Sequence, residues 1–127
     1  MKSAYDICRT RIDHKRYYTK TKNAMVNVII YLEESHDSRK LVDFLLQKQL
    51  IAKATIDVNN VTYLARNQEI HTQINTVITA QTRSILFSQI EQLIDEMYGG
   101  TVPVYSLPIT QANVQFDRFI RENTLKG

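Results

Sequence analysis

The chain has 127 residues, with 16 lysines and arginines against 13 aspartates and glutamates, one cysteine and three glycines. That length suits one domain able to bury a core unaided, while the lone Cys8 excludes an internal disulfide and fits a reducing compartment. No run is long and apolar enough to span a bilayer, and the first residues lack a signal-peptide core, so a soluble, cytoplasmic protein without a membrane partner is expected.

The net charge of +3 conceals an asymmetry. Residues 1–24 hold seven basic side chains against Asp6 and Asp13, a net of +5, whereas the remaining 103 residues hold nine basic and eleven acidic groups, a net of −2. The chain therefore divides into a basic N-terminal extension, 1–24, and a domain, 25–127. Tyr5, Tyr17 and Tyr18 interleave with the basic residues, a composition that can grip single-stranded nucleic acid by phosphate contacts and stacking. No nucleic-acid module motif follows, so the expected reading is an extension packing its tyrosines on the domain, with nucleic acid an unlikely partner. His14, in the same arm, has no evident partner.

The stretch Val26-Asn27-Val28-Ile29-Ile30-Tyr31-Leu32 is almost continuously apolar, as expected of an interior strand. Glu33-Glu34-Ser35-His36-Asp37 ends it. Ser35 is placed to cap a helix from His36 to Gln49 whose buried stripe is Leu41, Val42, Leu45 and Leu46, widened by Phe44. Ile51 to Val58 then alternates with period two, and Asn59-Asn60 offers the left-handed backbone of a tight connection. Val61 to Leu64 begins the return, and Ile70 to Ile78 sets Ile70, Ile74 and Ile78 on one face. Thr82 or Ser84 is placed to cap a second helix carrying Leu86, Ile90, Leu93, Ile94 and Met97, which Gly99-Gly100 stops. Val102 to Ile109 is a strand with Pro103 and Pro108 near its ends, hence an edge strand. A last helix, Asn113 to Glu122, turns Phe116, Phe119 and Ile120 inward.

The order strand, helix, strand, strand, helix, strand is the split βαβ arrangement, giving an α+β fold: a ferredoxin-like βαββαβ sandwich with an extra C-terminal helix. Crossover rules put the last and first strands side by side and the hairpin's second strand beyond the first. Both main helices then share one sheet face. The other face, with its Ile and Val, and two unpaired edges call for self-association.

Several stretches together resemble the CutA family of divalent cation tolerance proteins, relatives of the PII signalling proteins. They are the first strand and helix, Met25 to Leu50; Leu50-Ile51-Ala52, similar to the family's entry to the second strand; and Val61-Thr62-Tyr63, similar to its tyrosine-bearing turn. Thr101-Val102-Pro103, Leu107-Pro108-Ile109 and Phe119 to Thr124 resemble the proline-flanked strand and closing helix. The resemblance covers about Met25 to Thr124. It implies a compact homotrimer, with a role in copper or other divalent metal binding. It also places a cleft between subunits at Tyr31, Glu33, Tyr63 and Tyr98.

The family's usual ligand positions are changed. Its cysteine at the end of strand one falls at Tyr31 or Leu32, its histidine-proline-tyrosine near Tyr98-Gly99-Gly100, its tryptophan-glutamate-glycine turn at Ala65-Arg66-Asn67, and its strand-ending lysine at Thr79 or Ala80. Tyr63 alone is kept by type. No metal is thus expected by family motif. A divalent ion at Glu34, His36 and Asp37 is a speculative alternative, weakened because neighbouring strand residues diverge and because carboxylates at a helix start already favour its dipole. Structural zinc lacks thiolates. His71 sits on a polar strand without a nucleophile at readable spacing, Cys8 is an isolated thiol, and Gly99-Gly100 ends a helix where a phosphate loop would begin one. The expectation is a non-enzymatic homotrimer without a certain cofactor, linked to divalent ion tolerance or to sensing a small ligand or ion at inter-subunit clefts. The alternative is a PII-like regulator binding a nucleotide or a partner protein.

Overall fold

A computed structural model describes residues 24–125, so the expectations for Tyr5, Cys8, His14, Tyr17 and Tyr18 lie outside the described residues. The elements are β1 (Met25–Glu33), α1 (Ser38–Gln47), β2 (Lys53–Arg66), β3 (Glu69–Arg83), a 3-10 turn (Ser84–Leu86), α2 (Phe87–Tyr98), β4 (Val104–Pro108) and α3 (Val114–Glu122). One antiparallel sheet has the order β2-β3-β1-β4. This is the expected α+β arrangement, with β1 inside and β4 at an edge.

β1 alternates in burial despite its continuous apolar sequence. Val26, Val28, Ile30 and Leu32 point to the face that carries Ile78 and Ala80, where they meet Leu41, Val42 and Leu45 of α1 and Leu86, Ile90 and Ile94 around α2. Both helices therefore cover one face, each through an apolar stripe at helical spacing. α3 sits apart from that core: Ile120 and Phe116 pack on Met25, Ala52 and Ile109 at one end of the opposite face. Phe119, expected inward, is exposed, as is Leu46 of α1; each lies one residue beyond the buried stripe of its helix.

Three local expectations are corrected. Asp37, not Ser35, caps α1, its Oδ1 accepting from the Lys40 N–H at 3.1 Å, so the helix begins at Ser38. Ser35 is two residues too early for that bond. Neither Thr82 nor Ser84 caps α2: the residue in the cap position is Leu86, without a side-chain bond, and the Thr82 hydroxyl donates instead to the Leu50 carbonyl at 2.5 Å. Gly99 does close α2, at φ 79°, with its N–H on the Asp95 carbonyl.

The third correction concerns the hairpin. Asn59-Asn60 does not reverse the chain. Asn59 is left-handed, at φ 61°, within a β-bulge between Asp57 and Asn60, and the Asn60 side chain donates to the Asp57 carbonyl at 2.8 Å. The strand then continues to Arg66, and the reversal is Asn67-Gln68, both left-handed at φ 52° and 67°, as a two-residue primed turn requires. The result is a long ribbon. β1 pairs β3 only as far as Asn75, so Val61–Arg66 and Glu69–Ile74 extend past the body for about 20 Å.

Candidate functional site

Two residues expected at the inter-subunit cleft, Glu33 and Tyr98, come together with two of the speculative metal ligands, His36 and Asp37, at the turn between β1 and α1. Glu33 and His36 exchange two bonds: the His36 N–H donates to the Glu33 carbonyl at 3.0 Å, and the Glu33 N–H donates to His36 Nδ1 at 3.2 Å. The His36 ring lies against Tyr98, with centroids 4.5 Å apart and planes tilted by 38°. The Tyr98 hydroxyl reaches the Asp37 carbonyl at 3.5 Å, the outer limit of a hydrogen bond. Burial first, and then the Asp37 charge, hold the Tyr98 phenol above the usual tyrosine range.

This arrangement locks a turn. The His36 Nδ1 lone pair is used by a backbone N–H and the Asp37 carboxylate by the helix cap, while Glu34 is exposed. Among the described residues no three His, Cys, Asp or Glu side chains come together as a metal-holding group, so Glu34, His36 and Asp37 do not converge on an ion. His71 is placed beside Glu69, 3.7 Å from its carboxylate, on the exposed ribbon.

Tyr31 lies elsewhere, on the sheet face opposite α1 and α2. That face carries Ile29, Tyr31, Val77, Thr79, Tyr105 and Leu107, a more mixed surface than the expected Ile and Val. The Tyr105 phenol is raised above the usual range by burial, then by the Tyr31 charge, then by a hydrogen bond with Tyr31. Tyr105 was not singled out from the sequence; the signal available was its odd spacing against Pro103 and Leu107 in a strand flanked by prolines. Beside this patch a cavity of about 390 Å³ opens between the sheet and the start of α3, lined by Asn27, Gln81, Ile109, Gln111, Asn113 and Phe116. There Gln81 Nε2 donates to Asn27 Oδ1 at 2.7 Å.

Tyr63 is remote from both places, 72% exposed on the ribbon. Its surroundings explain what the ribbon can do. Directly opposite residues share a face, so the register places Val61, Tyr63 and Ala65 with Ile74, Thr72 and Ile70 on one side, and Thr62, Leu64 and Arg66 with Gln73, His71 and Glu69 on the other. The first side is an apolar stripe left in solvent: Val61 is 58% exposed, Ile70 80% and Ile74 43%. Among the described residues the outer edge of β4 is likewise unpaired, with Tyr105 and Leu107 beside it. Among the described residues no helix is long and apolar enough to cross a membrane.

A family model described as CutA1 divalent ion tolerance protein matches residues 26–123. Among solved structures, CutA1 from Oryza sativa aligns with a TM-score of 0.76 at 15% identity, covering 84% of this chain and 99% of that one. CutA1 from Ehrlichia chaffeensis gives 0.73 at 21%, covering 82% and 98%. The divalent cation tolerance protein (Cut A1) from Thermus thermophilus gives 0.73 at 18%, covering 79% and 98%. At such identities the structural likeness shows the fold. No curated protein sequence matches the chain.

Proposed function

Since the family match runs from the first strand to the end of the last helix, the chain belongs to the CutA1 divalent ion tolerance family, and from that premise we propose that it acts as a non-enzymatic homotrimer. Its role is divalent ion tolerance, or the sensing of a small ligand or ion at clefts between subunits. The single observation that carries the reading is the family match over residues 26–123.

Burial supports the assembly. A ribbon that reaches about 20 Å past its own core with Val61, Ile70 and Ile74 uncovered leaves apolar surface that a second copy can bury. The outer edges of β2 and β4, unpaired among the described residues, offer backbone donors and acceptors to the same neighbour. In such an assembly the remote Tyr63 can meet groups of another subunit, which a single chain does not allow. The turn built by Glu33, His36, Asp37 and Tyr98 then serves as a rigid wall of the cleft, and any bound ion has to draw its ligands from more than one chain.

Two measurements test this. Sedimentation should give a particle of three 14.8 kDa chains, and calorimetric titration of that particle with Cu²⁺ and Zn²⁺ should show saturable binding. A single-chain particle removes the cleft. A trimer that binds neither ion removes the direct metal role and leaves small-ligand sensing.

A further inference from the structure

Arg83, the last residue of β3, is 7% exposed, and its guanidinium has no carboxylate partner among the described residues. Its Nε donates to the Thr124 hydroxyl at 3.0 Å, just past the end of α3, and that hydroxyl in turn donates to the Ile120 carbonyl at 2.9 Å. Its Nη2 is buried without any partner. The α3 charge that acts on it is another cation, Arg121, whose Nε is 3.0 Å from Asp117. Burial, and then Arg121, pull the Arg83 guanidinium below its ordinary range. A buried charge is strongly unfavourable unless it is paired and its donors are satisfied. Here the fork is held in position by Thr124, one terminal nitrogen is unused, and a second guanidinium adds to the positive potential.

We propose that the junction of β3 and α3 is a binding site for a small oxyanion of phosphate or carboxylate type. Arg83 supplies the charge and the planar donor fork suited to two oxygens, Thr124 fixes that fork, and Arg121 contributes charge from the α3 side. The site is independent of the metal and cleft reading, because all three residues belong to one chain and lie at the opposite end of β3 from the ribbon. Nothing in the local sequence marks it, since a lone arginine ending a strand reads as a solvated residue.

The test is the melting temperature of the full chain in inorganic phosphate and in acetate, each against chloride at equal ionic strength. Phosphate should raise it saturably, by about 5 °C when present far above its dissociation constant. Arg83→Met should abolish the rise, and Arg121→Gln, a change at an exposed position that leaves the core intact, should weaken it at least tenfold in apparent affinity. If Arg83→Met does not fold, Arg83→Lys, which keeps the charge without the fork, should retain only part of the rise. Equal rises in the parent and Arg121→Gln, or none in either anion, would overturn the site. So would a melting loss on changing Asp6 and Asp13 together to asparagine with no response to added anion, which would assign the guanidinium to the chain's own carboxylates.

Discussion

Ile70→Ala separates the folding of one chain from the assembly of several. Ile70 is 80% exposed on the ribbon and pairs only with Ala65, so its removal takes nothing from the core beneath α1 and α2. Burying an isoleucine completely is worth about 1.5–3 kcal/mol, so covering this one in an assembly stabilises by about 2 kcal/mol per chain. A closed ring of three repeats the contact three times, giving about 6 kcal/mol for the trimer, or about four decades in its association constant. Sedimentation velocity across a dilution series should therefore show Ile70→Ala dissociating at far higher concentration than the parent, with an unchanged far-UV spectrum. Gln73→Ala, on the polar side of the same ribbon, should behave like the parent. The reasoning fails if Ile70→Ala and the parent dissociate together, or if the parent remains a single 14.8 kDa particle throughout.

Three further outcomes follow from local geometry. Asp37→Ala should lower stability by about 1 kcal/mol through loss of the bond to the Lys40 N–H, while Ser35→Ala should change it by less than about 0.5 kcal/mol; urea titration of both checks which residue is the cap. Gln68→Gly should raise stability by about 1 kcal/mol, because the left-handed φ of 67° strains a residue with a Cβ and glycine is favoured there; a thermal melt that falls instead would deny the turn geometry. Tyr98 has a raised pKa in the folded chain, so its contribution is complete below the ordinary tyrosine value of about 10 and is lost as pH climbs through the higher folded value. Stability measured across that alkaline window should fall less steeply in Tyr98→Phe than in the parent.

The sheet order and both main helices were legible because their signals are periodic: Leu41, Val42 and Leu45, or Leu86, Ile90 and Ile94, can be buried together only on a helix. The caps were not, because several residues of the right type stand close together and only the backbone decides between Ser35 and Asp37. The site residues were legible by position but not by role. Tyr98 and His36 do meet, the intervening chain being brought back by α2, yet what they form is a turn lock in which His36 Nδ1 and Asp37 Oδ1 are already taken by backbone N–H groups. Arg83, Asn27 and Gln81 carried no local signal, because their significance depends on where α3 lands after the sheet is complete.

The misplaced hairpin has a physical lesson of its own. Ala54 and Ile56 face the helices, and if the pairing ran on without the bulge Val58, Asn60, Thr62 and Leu64 would continue that face, setting Asn60 opposite Ile74 and Thr62 opposite Thr72. The extra residue at Asn59 reverses the alternation, so that Val61, Tyr63 and Ala65 fall there instead and the stripe becomes apolar on both strands. Two asparagines, which read as the end of a strand, thus decide which side of the ribbon is able to cover a neighbour. Deleting Asn59 should take out the bulge yet leave Val61 opposite Ile74 and Ala65 opposite Ile70, so the stripe and the trimer should both be kept; a chain that became a single-chain particle on this deletion would show that the apolar stripe alone does not carry the assembly.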